Sequence, residues 1–425
     1  MAAGRPNLTP EEAEQRLLAL ELFGMHFGLE RMRRLMTALG HPERTFDSIH
    51  VVGTNGKSST TRMIAAILRH HGLHVGAYLS PHLVSYSERI RVDDQDLTPS
   101  EFAAAIERAL HAADVVNRTA GEDDQVTQFE LLTAAAYSEL ARRGVQAAVI
   151  EAGLGGRYDA TNVIPSKVQV LTSVGLEHTR WLGPTVEAIA REKLDVVQPG
   201  ATLVLGPDMH PDAVRVAEEV AGERQATIVR AGADPGMPVA ALGGFQRRNF
   251  AVARAAATAF LGTVDEHAVV GAAAEIQVPG RLQVVGEEPL TLLDGAHNPD
   301  GIAALAESLP VLAGRRRVVT VVSILDDKDA AGMLRTLAPL SSVLVLTSTR
   351  NPRALPPPTL LSLAGQVAGS GDLQAEVVRD PVVALEHARE LAGPDGVVVA
   401  TGSIYLISDL LAGRDRDATR RASML

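Results

Sequence analysis

Apolar residues along this chain alternate between short continuous runs and longer stretches with helical spacing. These runs include residues 49–52 and 147–150, and a further strand is predicted over residues 168–173. A run of about four to eight apolar residues is typical of a strand that is buried on both faces. The stretches between the runs, such as residues 100–113 and 127–142, predict helices. This alternation predicts an α/β fold, with a P-loop-type, mostly parallel sheet flanked by helices.

A second alternation begins after residues 278–281, with apolar runs at 290–293, 318–322, 343–346 and 396–400. A chain of 425 residues is too long for one typical hydrophobic core. We therefore predict two domains. The first covers residues 1–279 and includes N-terminal helices, and the second, smaller α/β (Rossmann-like) domain covers residues 280–425.

The apolar run at 49–52 leads into a glycine-rich turn, and we predict that a helix follows over residues 61–70. The turn and its flank are Gly53, Thr54, Asn55, Gly56, Lys57, Ser58 and Ser59. Backbone N–H groups at a helix N-terminus favour a bound phosphate, the Lys57 side chain adds a positive charge, and the serine hydroxyls suit Mg²⁺. Valine stands at position 51, where the pattern G-x-x-x-x-G-K-[ST] has its first glycine. An ordinary tight turn is the alternative interpretation.

Composition excludes several classes of function. A net charge of −11 argues against a nucleic-acid or anionic-membrane partner, because both reward clustered lysine and arginine. The absence of cysteine excludes disulfides, thiolate metal sites and a cysteine nucleophile. The first ten residues lack the apolar core of a signal peptide, and no apolar run reaches membrane-spanning length. We expect a soluble, cytoplasmic protein.

Polar residues stand just after several predicted strands. Ser80, Glu151 and His178 each follow an apolar run, as Lys57 does. Ligands of doubly wound sheets bind outside the carboxyl ends of the strands, so we expect these side chains to converge there. Glu151 precedes three glycines within residues 153–156. Glycines let the backbone approach a ligand closely, and a carboxylate next to such a segment suits a hard cation. A helix cap at Ser80 and a structural histidine at position 178 are the alternatives.

Two segments carry a resemblance to a known family. Gly-Thr-Asn-Gly-Lys-Ser at 53–58 and Glu-Ala-Gly-Leu-Gly-Gly-Arg-Tyr-Asp-Ala-Thr-Asn at 151–162 resemble the folylpolyglutamate synthase/dihydrofolate synthase branch of the Mur-ligase superfamily. Pro-Gly-Arg at 279–281 and Leu-Leu-Asp-Gly-Ala-His-Asn-Pro-Asp-Gly at 292–301 are also similar to segments of that family. The resemblance runs from about residue 29 to the C-terminus.

The resemblance implies an ATP-dependent ligase that joins L-glutamate to dihydropteroate and/or to (tetrahydro)folate (poly)glutamate through an acyl phosphate. It implies ATP, two Mg²⁺ ions and a monovalent cation as cofactors. The implied partners are the pterin or folate acceptor and L-glutamate, with no nucleic acid and no membrane, and the implied state is a monomer.

The resemblance also implies roles for individual residues. The implied catalytic residues are Lys57, Lys193, His297 and Arg281. The implied nucleotide contacts are residues 53–59 with Gln246, Asn249, Arg281, Asp294 and His297. The implied metal ligands are Ser58, Ser80, Glu151, His178 and Lys193, the last of these as a carbamate. The implied acceptor contacts are Phe129, Glu130, Gly155, Arg157 and Asp159.

Three positions depart from the family pattern. Phe245 replaces the histidine that usually precedes the adenine-contacting glutamine, and Glu177 stands where relatives carry aspartate before His178. Leu-Asp-Val follows Lys193 in place of Ala-Gly-Ile, so a surface helical lysine is the alternative there.

Two other functions fit part of the pattern. A P-loop regulatory ATPase would explain the Lys57 loop, but it has no need of Glu151, His178 or the segment around His297. Another Mur-superfamily amide ligase with a different carboxylate acceptor is the closer alternative. Such chains usually carry an extra N-terminal substrate domain, and only about fifty residues precede the loop here.

Overall fold

The structure is a computed structural model that describes residues 8–21, 28–121, 124–368 and 373–422. The chain divides into two compact units. The first unit comprises Met1–Ala240 and Arg247–Ile276, and the second comprises Ala241–Gln246 and Gln277–Leu425. Residues 241–246, which we expected in the first domain, therefore group with the second unit. The boundary between residues 279 and 280 stays a prediction.

The first unit contains an eight-stranded sheet, counted over the described residues. Its strands are β1 Asp47–Val52, β2 Val75–Tyr78, β3 Ile90–Val92, β4 Gln95–Asp96, β5 Ala147–Glu151, β6 Val168–Leu171, β7 Thr202–Leu205 and β8 Thr227–Arg230. The helices up to residue 275 are α1 Pro10–Leu18, α2 Glu30–Ala38, α3 Lys57–His70, α4 Pro99–Asn117, α5 Gln128–Arg143, α6 Thr179–Leu182, α7 Val186–Leu194, α8 Pro211–Arg224, α9 Gly244–Leu261 and α10 Glu266–Glu275. Short 3-10 helices lie at Pro42–Arg44, Tyr86–Arg89 and Ala160–Val163.

The strand order is β4-β3-β2-β5-β1-β6-β7-β8, and β1 lies between β5 and β6. Ile49 of β1 pairs in parallel with Val149 of β5 and with Val168 of β6. Among the described strands of this sheet, only the pairs β2–β3 and β3–β4 are antiparallel. The mostly parallel α/β sheet predicted from the apolar runs is confirmed.

Helix α5 packs on the sheet at β2, and α4 packs on α5. Tyr78 and Tyr137 are completely buried there with Phe102, in one cluster of apolar side chains. Helix α5 begins at a capping box, in which the Thr127 hydroxyl accepts from the Glu130 N–H and the Glu130 carboxylate accepts from the Thr127 N–H. This box fixes the direction in which α5 leaves the carboxyl edge of the sheet.

The second unit contains a six-stranded sheet in its described part, with the order β13-β12-β11-β14-β10-β9. Among the strands described in this sheet, only β9 pairs in an antiparallel way, with β10. The strands are β9 Gln283–Glu287, β10 Leu290–Leu293, β11 Val318–Val322, β12 Val343–Leu346, β13 Gln374–Val377 and β14 Val397–Thr401. The helices are α11 Pro299–Ala313, α12 Ala330–Leu337, α13 Pro357–Ala368, α14 Pro381–Ala392 and α15 Ile404–Ala422, with a 3-10 helix at Ala338–Leu340.

Some predicted elements differ from the observed ones. Helix α3 begins at Lys57, four residues before the predicted start at Thr61, because Gly56 is the N-cap and the helix starts directly after it. None of the described helices is long and apolar enough to cross a membrane.

Candidate active site

The segment between β1 and α3 forms a tight loop over the carboxyl end of the sheet. Gly56 has a φ of 84°, in the left-handed region that favours glycine. A Cβ atom at Gly53 would overlap the Thr172 hydroxyl, so only glycine fits against the end of β6. The loop directs the N-terminus of α3 to the sheet edge, where backbone N–H groups favour an anion.

Two hydroxyl residues after β6 hold this loop in place. The Asn55 N–H donates to Ser173 Oγ at 2.9 Å, and Thr172 Oγ1 donates to the Asn55 carbonyl at 2.7 Å. The Thr54 N–H donates to the Ser173 carbonyl at 2.9 Å. We did not predict Thr172 and Ser173 as site residues. The signal was available, because hydroxyls that end a strand next to β1 lie beside the turn that follows it.

Two lysine side chains meet at one carbonyl of the loop. Lys57 Nζ lies 3.1 Å from the Gly53 oxygen, and Lys193 Nζ, from α7, lies 2.9 Å from the same oxygen. Lys193 is only 4% exposed. Burial, and then the positive charge of Lys57, lower the pKa of Lys193 to about 7. Lys193 is therefore not a surface lysine, and its amine becomes neutral far more readily than an ordinary lysine amine.

Three of the predicted metal ligands lie together. Glu151, which is 1% exposed, ends β5 next to the loop. One oxygen of its carboxylate accepts from the Ser58 hydroxyl at 2.7 Å, and the other accepts from the Ser80 N–H at 3.0 Å. Carboxylate and hydroxyl oxygens are ligands that Mg²⁺ takes in proteins. The described residues contain no group of three His, Cys, Asp or Glu side chains arranged to hold a metal, so hydroxyls would have to complete this donor set.

The pair Glu177 and His178 follows β6 at the same edge. His178 has a φ of 53° and precedes the short helix α6. Its Nε2 atom lies 4.0 Å from a Glu177 carboxylate oxygen, and its side chain is 42% exposed against 10% for Glu177. Glu177 also acts electrostatically on Lys193, so both residues belong to this edge. A metal-binding role for His178 stays a prediction.

The predicted acceptor residues separate into two groups, and Phe129, Gly155 and Asp159 form the first. Phe129 packs directly on the glycine-rich segment, where a Cβ atom at Gly153 would lie 2.5 Å from the ring. The buried Asp159 carboxylate accepts from the Leu154 N–H at 2.8 Å, and burial raises its pKa. The aromatic ring of Phe129, from α5, and the carboxylate of Asp159 therefore both contact this loop.

Glu130 and Arg157 lie outside this group, and each contacts other residues. Glu130 caps α5, and both oxygens of its carboxylate also accept from Arg31 Nε at 3.1 Å. Arg157 Nε lies 3.8 Å from Glu192 and 3.7 Å from Asp195, at the C-terminal end of α7. Glu130 thus stabilises the helix start, and Arg157 lies near α7. Acceptor contacts by either residue stay predictions.

The predicted adenine contacts fall in different units. Asn249 belongs to the first unit, where its Oδ1 atom would lie 2.7 Å from a Cβ atom on Gly56. Gln246 is buried and belongs to the second unit, as does Phe245, which packs against the core of that unit.

A separate polar cluster lies in the second unit, at the carboxyl end of β10. The buried Asp294 carboxylate accepts from the Leu282 and Ala296 N–H groups, both at 2.9 Å. Burial raises the pKa of Asp294, and the nearby Arg281 opposes that change. The Arg281 guanidinium lies over Gly295, and His297 Nδ1 lies 3.0 Å from the Gly295 carbonyl oxygen. Arg281, from the segment 279–281, is thus a neighbour of Asp294 and His297, which belong to the segment 292–301.

Comparisons with known proteins give matches across both units. The family described as the Mur ligase middle domain matches residues 51–228. The family described as the Mur ligase glutamate ligase domain matches residues 280–404. The first match contains the phosphate loop, Glu151 and Lys193, and the second contains Arg281, Asp294 and His297.

Full-length relatives and solved structures agree with these matches. The chain is 31% identical to a dihydrofolate synthase/folylpolyglutamate synthase of Bacillus subtilis, over 91% of this chain and 95% of that protein. It is similar to Mycobacterium tuberculosis folylpolyglutamate synthase complexed with ADP, with a TM-score of 0.87, 30% identity and coverage of 96% and 97%. The bifunctional folylpolyglutamate synthase/dihydrofolate synthase of Yersinia pestis, complexed with AMPPNP and Mn, gives a TM-score of 0.84 at 29% identity, with coverage of 97% and 100%. The chain therefore belongs to the folylpolyglutamate synthase/dihydrofolate synthase family of Mur ligases, a family of ATP-dependent ligases that form carbon–nitrogen bonds.

Proposed function

We propose that this protein uses ATP to join the amine of L-glutamate to the carboxylate of a pterin-containing acceptor, through an acyl phosphate. The observation that carries the proposal is the meeting of Lys57, Lys193 and the Ser58–Glu151 pair around one phosphate-type loop. The names of the relatives support the choice of acceptor, because they are synthases of dihydrofolate and of folylpolyglutamate.

The first unit would hold the triphosphate and the metal. Gly56 and Lys57, at the N-terminus of α3, would present backbone N–H groups to the phosphates, and Asn249 lies beside Gly56 for the nucleoside. Ser58, Ser80 and Glu151 form an oxygen donor set that fits Mg²⁺, with His178 as a further proposed ligand. When bound, the metal would neutralise charge on the phosphate oxygens. The proposed requirement for two Mg²⁺ ions and a monovalent cation comes from the family resemblance alone.

The reaction requires the protein to neutralise charge on the transferring phosphoryl group and to orient the substrates. The acceptor carboxylate attacks the γ-phosphate, which gives an acyl phosphate and ADP, and the glutamate amine then displaces phosphate from the acyl carbon. Negative charge spreads over the transferring phosphoryl group, so a fixed positive charge at Lys57 stabilises the transition state more than the ground state. No covalent enzyme intermediate is needed.

The second unit would contribute further nucleotide contacts. We propose Arg281 and His297 for the phosphates, Asp294 for the ribose and Gln246 for the adenine, as the resemblance implies. The arrangement of Arg281 and His297 around the Gly295 turn supports a shared role. We further propose residues 1–279 as the ATP-binding domain and 280–425 as the glutamate-ligase domain.

The acceptor would bind beside the glycine-rich segment. Phe129 offers a ring for an aromatic acceptor body, and Asp159 offers a buried carboxylate on the same loop as Gly155. Dihydropteroate and reduced folate share a pterin–benzoate body, but their reacting carboxylates differ in position by one glutamyl unit. Since misplacement by about an ångström can cost about 10²-fold in rate, two distinct acceptor poses are required.

We predict that the purified protein incorporates labelled glutamate with dihydropteroate and also with tetrahydrofolate monoglutamate, when each is assayed separately with ATP and Mg²⁺. Both acceptors should also drive stoichiometric ADP release. Reactions that contain ATP, Mg²⁺ and glutamate but no acceptor provide the control for background ATP hydrolysis. Incorporation with a single acceptor would remove the dual activity, and incorporation with neither would remove the folate assignment.

We also propose that the enzyme acts in the cytoplasm as a monomer. The lack of cysteine fits a reducing compartment. Size-exclusion chromatography with light scattering would test the monomer directly against its 44.9 kDa mass.

A further inference from the structure

His50 lies in the middle of β1 and is completely buried. Its neighbours in the strand, Ile49 and Val51, are apolar, and so is Ile150, its partner in β5. A buried polar group costs free energy unless it is hydrogen-bonded, so an apolar side chain would suit this position if packing were its only task. Burial lowers the pKa of His50 to about 4, so the ring is neutral at neutral pH. A histidine at this position therefore indicates a specific polar contact.

One ring nitrogen of His50 makes that contact. The Nε2 atom lies 2.8 Å from Thr161 Oγ1, in the 3-10 helix at Ala160–Val163. The Thr161 hydroxyl has a single proton and donates it to Asp159 Oδ1, so we assign the proton of the imidazole to Nε2. The other nitrogen, Nδ1, has no hydrogen-bond partner among the described residues. The hydrogen bonds thus run in one direction, from His50 through Thr161 to Asp159.

The Asp159 carboxylate closes the segment 153–161, which we term the acceptor loop. Its Oδ2 atom accepts from the Leu154 N–H at 2.8 Å near the start of the loop, and Oδ1 accepts from the Thr161 N–H at 3.0 Å at the end. The Tyr137 hydroxyl, from α5, donates to the Thr161 carbonyl at 2.9 Å. Contacts from β1, from α5 and from the loop itself therefore meet at Thr161.

Strand β1 connects this contact to the phosphate loop. Gly53, the first residue of that loop, follows His50 by three positions. The phosphate loop and the end of the acceptor loop are thus attached to one buried strand. Phosphoryl transfer needs the acceptor carboxylate close to the γ-phosphate and aligned with it, and misplacement by about an ångström can cost about 10²-fold in rate. A rigid link between the two loops meets this requirement.

We propose that His50 is a positioning residue, which sets the acceptor loop relative to the phosphate loop through Thr161. Its side chain touches neither substrate and acts through Thr161 and Asp159. The inference rests on the proposed function, because a reaction between an acceptor and ATP needs both loops in fixed positions. Loss of the link should disturb the acceptor more than ATP, since Thr172 and Ser173 hold the phosphate loop independently.

The test is steady-state glutamate incorporation by His50→Leu and His50→Gln, with ATP and the acceptor varied in turn. Dihydropteroate and tetrahydrofolate monoglutamate are the two acceptors. Leucine fills the space without a donor, whereas the amide nitrogen of glutamine can take the place of Nε2. We expect kcat/KM for the acceptor to fall at least about tenfold in His50→Leu, with a raised KM, because one hydrogen bond to the loop is lost. The KM for ATP should stay near that of the parent, and His50→Gln should recover most of the loss.

Ser48→Ala is the matched control. Ser48 is also buried on β1, two positions from His50, and its hydroxyl has no hydrogen-bond partner within the described residues. Its kinetic constants should equal those of the parent. Thr161→Val removes the hydroxyl without changing β1, so it decides the matter if His50→Leu does not fold. It should show the same loss with the acceptor, and a folded double variant should lose little more, because both substitutions break one link.

Three results would overturn the inference. The first is parent-like kinetics with the acceptor in folded His50→Leu or in Thr161→Val. The second is an equal loss in His50→Gln and His50→Leu. The third is a KM for ATP that rises as much as the KM for the acceptor, which would show a general structural defect. A parent that incorporates no glutamate with either acceptor would overturn the proposed function as well, whereas an active parent beside an unaffected His50→Leu would overturn the inference alone.

Discussion

Replacing Lys57 with alanine should lower kcat by at least about 10²-fold while the protein remains folded. The Lys57 ammonium lies over the loop carbonyls of Gly53 and Thr54, at 3.1 and 3.2 Å, at the N-terminus of α3. Without it, charge that develops on the transferring phosphoryl group loses its nearest fixed counter-charge. Steady-state ADP release and labelled glutamate incorporation would measure the loss.

A matched control is available in Lys167, an exposed lysine that pairs with Asp47 at the opposite edge of the sheet. Lys167→Ala should keep nearly the parent kcat, because Lys167 lies away from the phosphate loop. The variant should also stay folded, because an exposed ion pair contributes little to stability. Circular dichroism of both variants would confirm folding. Turnover close to the parent value in folded Lys57→Ala would show that nucleotide chemistry takes place elsewhere.

Replacing Lys193 with alanine should lower kcat by about 10²-fold and leave a variant that added acetate partly rescues. We propose that the Lys193 amine takes up CO₂ and becomes a carbamate, an anion that would hold a second metal ion. The amine is buried 2.9 Å from the Gly53 carbonyl, and the space left by alanine would admit a small carboxylate. Activity would be titrated against acetate for the parent and for the variant.

The rescue separates a chemical role from a structural one. Acetate should leave the parent unchanged, and Lys193→Met, which fills the space with an apolar chain, should be slow and insensitive to acetate. If Lys193→Ala keeps full activity, the residue has no part in catalysis. If it is slow and acetate has no effect, the buried amine only supports the loop.

The sequence predicted the central part of both sheets, because buried parallel strands carry continuous apolar runs. Strands β1, β5 and β6 are buried almost throughout, and their runs stand out from the flanking residues. Strands β8, β9 and β13 were not predicted. They lie at sheet edges with exposed and half-exposed residues, so no apolar run marks them.

The sequence predicted those site residues that lie at the ends of strands. Ser58, Ser80 and Glu151 come from distant parts of the chain, and their meeting follows from β5 lying beside β1 and β2. The direction of a loop side chain does not follow from strand order. Arg157 therefore lies against the C-terminal end of α7, although the adjoining residues carry the acceptor motif. Glu130 was equally unpredictable, since its partner Arg31 lies 99 residues away in the sequence.

The central claim is that the acceptor carboxylate is phosphorylated by ATP before glutamate attacks. The most direct test uses dihydropteroate labelled with ¹⁸O in its carboxylate, incubated with the protein, ATP, Mg²⁺ and L-glutamate. Our account predicts that each amide bond formed transfers one ¹⁸O atom from the acceptor to inorganic phosphate, which mass spectrometry of the phosphate would detect. Amide formation with unlabelled phosphate would contradict the acyl-phosphate route.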